Sequence, residues 1–204
     1  MSNEPYREIP IDEIVSRMVT LLGGIAAFWS NSAGWAPDDA ADMLAKSRLD
    51  RLASMAATLK RWIEIPPDEI SDGDLILAWT NLGSLVEGTL KLFLCVYLRD
   101  YKADDENTKK TQAYHQKKDL LLDPDGLRMN VLISYFEQAN ILPDDELKLA
   151  KRIQDKRNTI HVFKDLDIGN GIDFHAAVRD FRHMLLSINS RLPYPDVVGE
   201  PREF

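Results

Sequence analysis

Residues 72–98 constrain the fold more than any other stretch, because they read as one long helix with apolar side chains around most of its circumference. A helix that faces solvent on one side normally carries a single apolar stripe, whereas a helix that is apolar nearly all round is covered on several sides. We therefore predict that this helix lies at the centre of the fold. Its expected buried positions are Leu75, Trp79, Leu82, Leu85, Val86, Thr89, Phe93 and Val96.

The rest of the chain also repeats apolar residues with helical spacing, and no stretch alternates with the period of two typical of a strand. The predicted fold is therefore an all-α helical bundle of about six helices. The predicted helices cover residues 11–31, 37–63, 72–98, 123–139, 143–161 and 173–192. Gly23 and Gly24 lie inside the first helix, where each costs about 1 kcal/mol relative to alanine, so we expect a kink or a close helix contact there.

Proline-rich breaks suggest how the chain is divided. Pro66 and Pro67 interrupt it after the second predicted helix, and Pro193 ends the last one. We predict an N-terminal helical pair that packs on the core, followed by the main bundle. The predicted segments are a flexible arm at 1–10, the helical pair at 11–66, the bundle at 67–195 and a tail at 196–204.

Composition excludes several classes of protein. The chain is 45% hydrophobic and 28% charged, which is ordinary for a globular protein. Its formal net charge of -8 argues against an indiscriminate binder of nucleic acid or anionic membranes, although a local basic site is compatible with it. A single cysteine, Cys95, can form neither an intrachain disulfide nor a zinc-binding cysteine cluster. We expect no metal and no cofactor.

Targeting signals are also not evident. Residues 1–10 are polar and acidic, unlike a secretory signal peptide. The most apolar run, residues 90–98, is too short to span a bilayer. The expected location is cytoplasmic, with no membrane contact.

The helix predicted at residues 143–161 carries the candidate functional residues. Pro143 and the acids that follow it favour a helix start, since proline suits the first turn and acids suit the positive end of the helix dipole. Its apolar stripe leads to Arg157 and His161, which are four residues apart and so lie on one side of a helix. A charged side chain on a buried face normally pairs with an opposite charge or has a role in function.

Residues 99–118 show no apolar period and place an acidic cluster before a basic one. We expect a solvated, mobile loop here. The functional alternative is an arm that contacts RNA phosphates. Its candidate RNA-binding residues are Lys109, Lys110, Lys117 and Lys118.

The stretch Asp155-Lys156-Arg157-Asn158-Thr159-Ile160-His161, at the end of a helix and followed by a turn and a closing helix, resembles the signature region of the HEPN superfamily (higher eukaryotes and prokaryotes nucleotide-binding domains). Residues 82–91 are similar to the helix that opens such a bundle. The resemblance covers roughly residues 72–195. It implies a small helical bundle, usually dimeric. Many HEPN domains are metal-independent endoribonucleases of toxin–antitoxin, abortive-infection and CRISPR systems, and others are inactive scaffolds.

The family motif is an arginine, a polar residue and a histidine, which the resemblance places on Arg157, Asn158 and His161 as catalytic residues. Only Asn158, Thr159 and Ile160 intervene, one residue fewer than the family's usual minimum. Assigning the arginine role to Lys156 restores the spacing but changes the residue type. A subgroup of HEPN toxins has a modified tyrosine where this chain has Phe163, so that form of regulation is not expected.

Two functions follow as expectations. The first is a metal-independent endoribonuclease in a toxin–antitoxin or phage-defence system, with a homodimer, RNA, and an antitoxin or defence-system protein as partners. The second is a non-catalytic dimerisation or partner-binding module. In the second case Arg157 would pair with Glu87 or Asp155, and His161 would donate to a carbonyl at the helix end. The supporting residues are Glu87, Asp155 and Lys156. A nucleotide-binding regulator is a third class, without a phosphate-binding loop to support it.

Overall fold

Helices follow one another along the chain in the computed structural model, which describes residues 9–204, and they form an all-α bundle. The helices are α1 (Ile11–Trp29), α2 (Asp38–Lys46), α3 (Asp50–Thr58), α4 (Lys60–Ile63), α5 (Asp72–Val96), α6 (Leu98–Ala103), α7 (Asp105–Thr108), α8 (Met129–Gln138), α9 (Asp144–Arg157) and α10 (Gly171–Ser190). Strands β1 (Tyr114–His115) and β2 (Leu120–Leu121) lie between α7 and α8 and pair antiparallel, with Tyr114 opposite Leu121. Short 3-10 turns precede α8 at Pro124–Gly126 and follow α9 at Asn158–Ile160.

Helix α5 lies at the centre of the bundle, which confirms the prediction from its apolar circumference. Helices α2, α3, α8, α9 and α10 all pack against it. Ser71 caps its start by accepting a hydrogen bond from the backbone N–H of Asp74. Every position predicted to be buried along this helix is buried.

The prediction of about six helices is too low for residues 9–204, because one predicted helix is divided and because α6 and α7 lie almost wholly where a loop was predicted. The helix predicted at 37–63 is separated into α2, α3 and α4, and Ser47 between α2 and α3 is extended, with φ -74° and ψ 147°. This break allows α2 to pack against α5 while α3 packs against α1. The apolar stripe alone does not reveal such a break, because both short helices bury apolar residues.

Residues 99–118 also differ from the predicted loop, since they contain most of α6 together with α7 and β1. Asp104 caps α7 by accepting a hydrogen bond from the backbone N–H of Asn107. The β1–β2 connection passes through Asp119 in the left-handed region, with φ 49°. Two-residue strands are too short to show a period of two, so the sequence pattern could not indicate them.

Buried residues of the N-terminal helices and of the later helices belong to one hydrophobic cluster. Trp29 of α1 illustrates the contact, because its indole nitrogen donates to the hydroxyl of Tyr194 at 3.0 Å. The domain division at residue 66 stays a prediction. The predicted arm lies outside the described residues for positions 1–8, and Ile9 is buried in the cluster.

The C-terminal tail is irregular but packs on the bundle. Glu203 is 8% exposed and accepts hydrogen bonds at 2.5 Å from the guanidinium of Arg182, which is 3% exposed. A Cβ added at Gly24 would lie 2.8 Å from Cβ of Pro201. Gly24 therefore serves a close contact, but its partner is the irregular tail and not the helix that was expected.

Candidate functional site

Arg157, the last residue of α9, reaches across the face of α5. Its aliphatic part lies over Gly83, where an added Cβ would be 2.7 Å from Cδ and 3.1 Å from Cβ of Arg157. Its Nη1 donates to Oε2 of Glu87 at 2.5 Å and to Sδ of Met129 at 3.6 Å. Gly83 and Glu87 are four residues apart and so share one face of α5. The missing side chain at Gly83 therefore leaves the space through which the guanidinium reaches the carboxylate.

Glu87 holds a second cation. Its Oε1 lies 2.9 Å from Nζ of Lys91, and the same Nζ donates to the carbonyl oxygen of Asp125 at 3.0 Å. Burial alone would raise the pKa of Glu87, but hydrogen bonds from Arg157 and Lys91 hold that pKa below its ordinary value. One carboxylate is therefore shared by two cations, and the group keeps positive charge near neutral pH. This pairing is the one that the non-catalytic interpretation expects for Arg157.

His161 lies beyond the end of α9, and the expectation that it faces the core is wrong. The chain tightens to a 3-10 turn after Arg157, and the backbone N–H of His161 donates to the carbonyl of Asn158 at 3.1 Å. The hydroxyl of Thr159 donates to the carbonyl of Lys156 at 2.7 Å, which satisfies one acceptor at the helix end. Because the turn is tighter than an α-helix, the side chains after it leave the buried stripe. His161 is exposed, and within residues 9–204 its imidazole makes no hydrogen bond, so the predicted bond to a carbonyl is not formed.

Arg157, Asn158 and His161 nevertheless line one open cleft, of about 720 Å³. Glu87 is the one acidic residue among the described residues that line it. The cleft is therefore dominated by positive charge, although the whole chain has a formal net charge of -8. The cationic residues of its wall are Lys91, Arg128, Arg157 and Lys164.

Lys156 and Asp155 are placed outside this cleft. Nζ of Lys156 lies 2.6 Å from a carboxylate oxygen of Asp167 and donates to the carbonyl of the same residue at 2.9 Å. Asp155 is exposed, and both residues line a neighbouring cleft. Lys156 thus tethers the loop before α10, and Arg157 alone occupies the arginine position beside Asn158.

The lysines predicted to bind RNA lie around the β1–β2 hairpin. Lys109 pairs with Asp105 at 2.7 Å, and Lys110 pairs with Glu106 at 2.9 Å, each one helical turn away. Lys117 and Lys118 are exposed. Lys109, Lys110 and Lys117 line a further cleft, of about 980 Å³, and Lys118 is outside that lining.

Sequence reasoning missed Arg128 and Lys164 as cleft residues. Arg128 immediately precedes α8, and Lys164 follows the 3-10 turn after α9. They are 36 positions apart in the sequence, so no local spacing connects them. Only the packing of α8 and α9 against α5 brings them to one cleft.

No group of three or more His, Cys, Asp or Glu residues could hold a metal ion among residues 9–204. In the same part of the chain, no helix has both the length and the apolar character needed to cross a membrane. Comparison with protein-family models, with curated proteins and with solved structures finds no match. The HEPN resemblance therefore rests on the residues quoted for it.

Proposed function

We propose that this chain is a metal-independent endoribonuclease of HEPN type that acts in a toxin–antitoxin or phage-defence system. The observation that carries the proposal is the common cleft of Arg157, Asn158 and His161, with its excess of cationic side chains. A cationic cleft on an acidic protein concentrates a polyanion at one place and disfavours its binding elsewhere.

The proposed reaction uses the 2′-hydroxyl of RNA as the nucleophile. Its oxygen forms a bond to the adjacent phosphorus while the bond from phosphorus to the 5′-oxygen breaks, which gives a 2′,3′-cyclic phosphate and a 5′-hydroxyl. The proton leaves the 2′-hydroxyl and a proton reaches the departing 5′-oxygen. His161 is suited to these transfers, because histidine is the side chain whose charge changes near neutral pH.

Arg157 is suited to the charge that develops on the phosphate oxygens. Both hydrogen bonds that its side chain makes to the described residues come from Nη1. Nε and Nη2 are left to bind two oxygens of one phosphate in the bidentate geometry typical of arginine. Glu87 then fixes the guanidinium in place while Asn158 orients the phosphate.

A two-fold dimer would complete the site by placing two clefts side by side. Next to His161, Val162 is 81% exposed and Phe163 is 103% exposed. Apolar side chains so exposed beside a candidate site favour burial by a partner surface, and the partner proposed here is a second copy of the chain.

The test is cleavage of single-stranded RNA by wild type and by His161→Ala in the presence of EDTA. We expect wild type to leave 2′,3′-cyclic phosphate ends and to leave DNA intact, since DNA lacks the attacking hydroxyl. His161→Ala and Arg157→Ala are each expected to lower the rate by about 10²-fold. Arg157→Lys is expected to restore it only in part, because an ammonium group cannot bind two oxygens in the same way.

Arg51→Ala is the matched control, because Arg51 is an exposed arginine of α3 away from the cleft. Thermal melting of each variant separates loss of the reaction from loss of the fold. A folded His161→Ala protein that cuts RNA as fast as wild type would contradict the nuclease proposal.

The second candidate function is a non-catalytic dimerisation or partner-binding module. It is favoured by the ion pair between Arg157 and Glu87, which braces α9 against α5 whether or not RNA binds. A folded wild-type dimer without RNase activity would support it.

A further inference from the structure

The cleft that contains Arg157 adjoins the two neighbouring clefts. It shares Gly126, Leu127 and Arg128 with the cleft beside the β1–β2 hairpin. It shares Asn158 and Lys164 with the cleft that follows α9 toward the loop before α10. The three depressions therefore border one another, with the Arg157 cleft in the middle.

Cations of this surface fall into two groups. Several are paired with nearby acids and are partly neutralised: Lys109, Lys110, Lys151, Arg152 and Lys156. Arg128, Lys164, Lys117 and Lys148 are exposed, and within residues 9–204 their side chains make no ion pair or hydrogen bond. Arg128 lies where the central cleft meets the cleft beside the β1–β2 hairpin, called the hairpin cleft below. Lys164 lies where the central cleft meets the cleft that follows α9, and Lys117 lies within the hairpin cleft.

We propose that the three clefts form one continuous groove for single-stranded RNA, in which Arg128 and Lys164 bind the phosphates on either side of the Arg157 cleft. This proposal rests on the proposed function, because it assigns the path of the strand that would be cut at His161. It adds residues that the Arg–Asn–His motif does not contain.

Single-stranded RNA fits the lining better than a duplex does. The hairpin cleft contains Tyr114 and His115 between its lysines, and its described lining includes no acidic residue. Rings beside cations are typical of sites that track an unpaired strand, because bases stack on the rings while phosphates meet the cations. A duplex instead is contacted across a broad surface through its regular backbone.

The experiment measures binding of a labelled single-stranded RNA of about 12 nucleotides, a length that fits typical single-strand sites. The protein is the full chain carrying His161→Ala, so that the RNA stays intact. Arg128→Gln, Lys164→Gln and Lys117→Gln are added singly to it. The matched controls are Arg51→Gln and Lys60→Gln, which remove the same charge from exposed positions away from the clefts.

We expect each groove substitution to weaken binding by about tenfold at low salt, as for the loss of one hydrogen bond to a charged group. Each should also reduce the slope of log K against log salt by about 0.7, the value for one phosphate contact on a single strand. The two controls should change neither quantity. With an RNA of about 4 nucleotides, at the short end of such sites, Lys117→Gln should have little effect, because the strand would not reach the hairpin cleft.

Three results would overturn the groove. The first is that Arg128→Gln and Lys164→Gln bind the RNA as tightly as the parent protein. The second is that the control substitutions weaken binding as much as the groove substitutions do. The third is that duplex RNA or poly-glutamate binds as tightly as single-stranded RNA. Cleavage by wild type with no effect of Arg128→Gln rejects the groove and keeps the nuclease. Binding that depends on Arg128, without any cleavage by the chain with its native His161, supports the groove and rejects the nuclease.

Discussion

At the scale of single residues, the burial of a charged side chain depends on its partner. Arg157 is held by Glu87, and Glu87 is shared with Lys91, so each charge is compensated where it leaves water. Glu146 is different, because it is 8% exposed and its Oε2 has no hydrogen-bond partner in the described part of the chain. Leaving such an acceptor unsatisfied costs free energy.

Burial raises the pKa of Glu146, and a hydrogen bond with Ser187 only partly opposes this. A carboxyl whose pKa is raised by folding stabilises the folded state below its unfolded-state pKa, and this contribution is lost as pH rises through the folded-state value. We therefore expect Glu146→Gln to increase the free energy of unfolding at pH 7 by roughly 1 kcal/mol. Urea unfolding at pH 7 and at pH 4 measures this, and the advantage should shrink at pH 4.

Glu69→Gln is the control for this substitution, because Glu69 is exposed. It should leave the free energy of unfolding nearly unchanged at both pH values. If Glu146→Gln were destabilising at pH 7, the favourable interaction of the Glu146 charge with the dipole of α9 would exceed the free-energy cost of burying that charge.

At the scale of elements, the contact between α5 and α9 depends on a glycine. Alanine at Gly83 would gain about 1 kcal/mol in helix propensity, but its Cβ would lie 2.7 Å from Cδ of Arg157. The near part of the arginine side chain must then move, since its own Cβ is only 3.1 Å away. The two effects oppose each other in stability, but the steric contact alone displaces the guanidinium from Glu87.

We expect Gly83→Ala to change stability little and to lower RNA cleavage by about 10²-fold, the loss typical of a misplaced catalytic group. Gly73→Ala on the same helix is the matched control, because nothing lies within 4 Å of a Cβ added there. It should raise stability by up to about 1 kcal/mol and keep full activity. Full activity of the Gly83→Ala protein would show that the position of Arg157 over α5 is unimportant for the reaction.

At the scale of the whole molecule, the formal net charge is -8, yet the Arg157 cleft is lined mainly by cations and an apolar segment after His161 is exposed. Phe163 and Val162 of that segment lie directly after His161. Burial of these side chains in a two-fold interface would remove apolar surface from water and bring the two His161 clefts together.

We expect light scattering at micromolar concentration to give the mass of a dimer, and Phe163→Ser to shift it toward the monomer. Phe204→Ser is the matched control, because Phe204 is 88% exposed and belongs to the C-terminal tail, not to the segment after His161. A monomeric wild type would leave the shared site without a basis.

Several features of the fold depend on residues that are close together in the sequence, and these could be predicted from it. The apolar circumference of residues 72–98 predicted the central helix α5, and this prediction is confirmed. The ion pair between Glu87 and Lys91, one turn apart on that helix, is equally local. These features depend on side chains a few positions apart, whose relative placement follows from helix geometry. The break at Ser47 was missed because an apolar stripe continues across it.

The tertiary structure alone decided the surroundings of the candidate site. Periodicity placed Arg157 and His161 on one buried face, but the 3-10 turn at Asn158–Ile160 leaves His161 exposed. Arg128 and Lys164 reach the same cleft from elements far apart in the chain. The sequence by itself thus determined the all-α class and the buried side of the long central helix, because burial patterns repeat with the helix period. Which cations meet beside Arg157 depends on how α5, α8 and α9 pack, and packing joins residues that no sequence period relates.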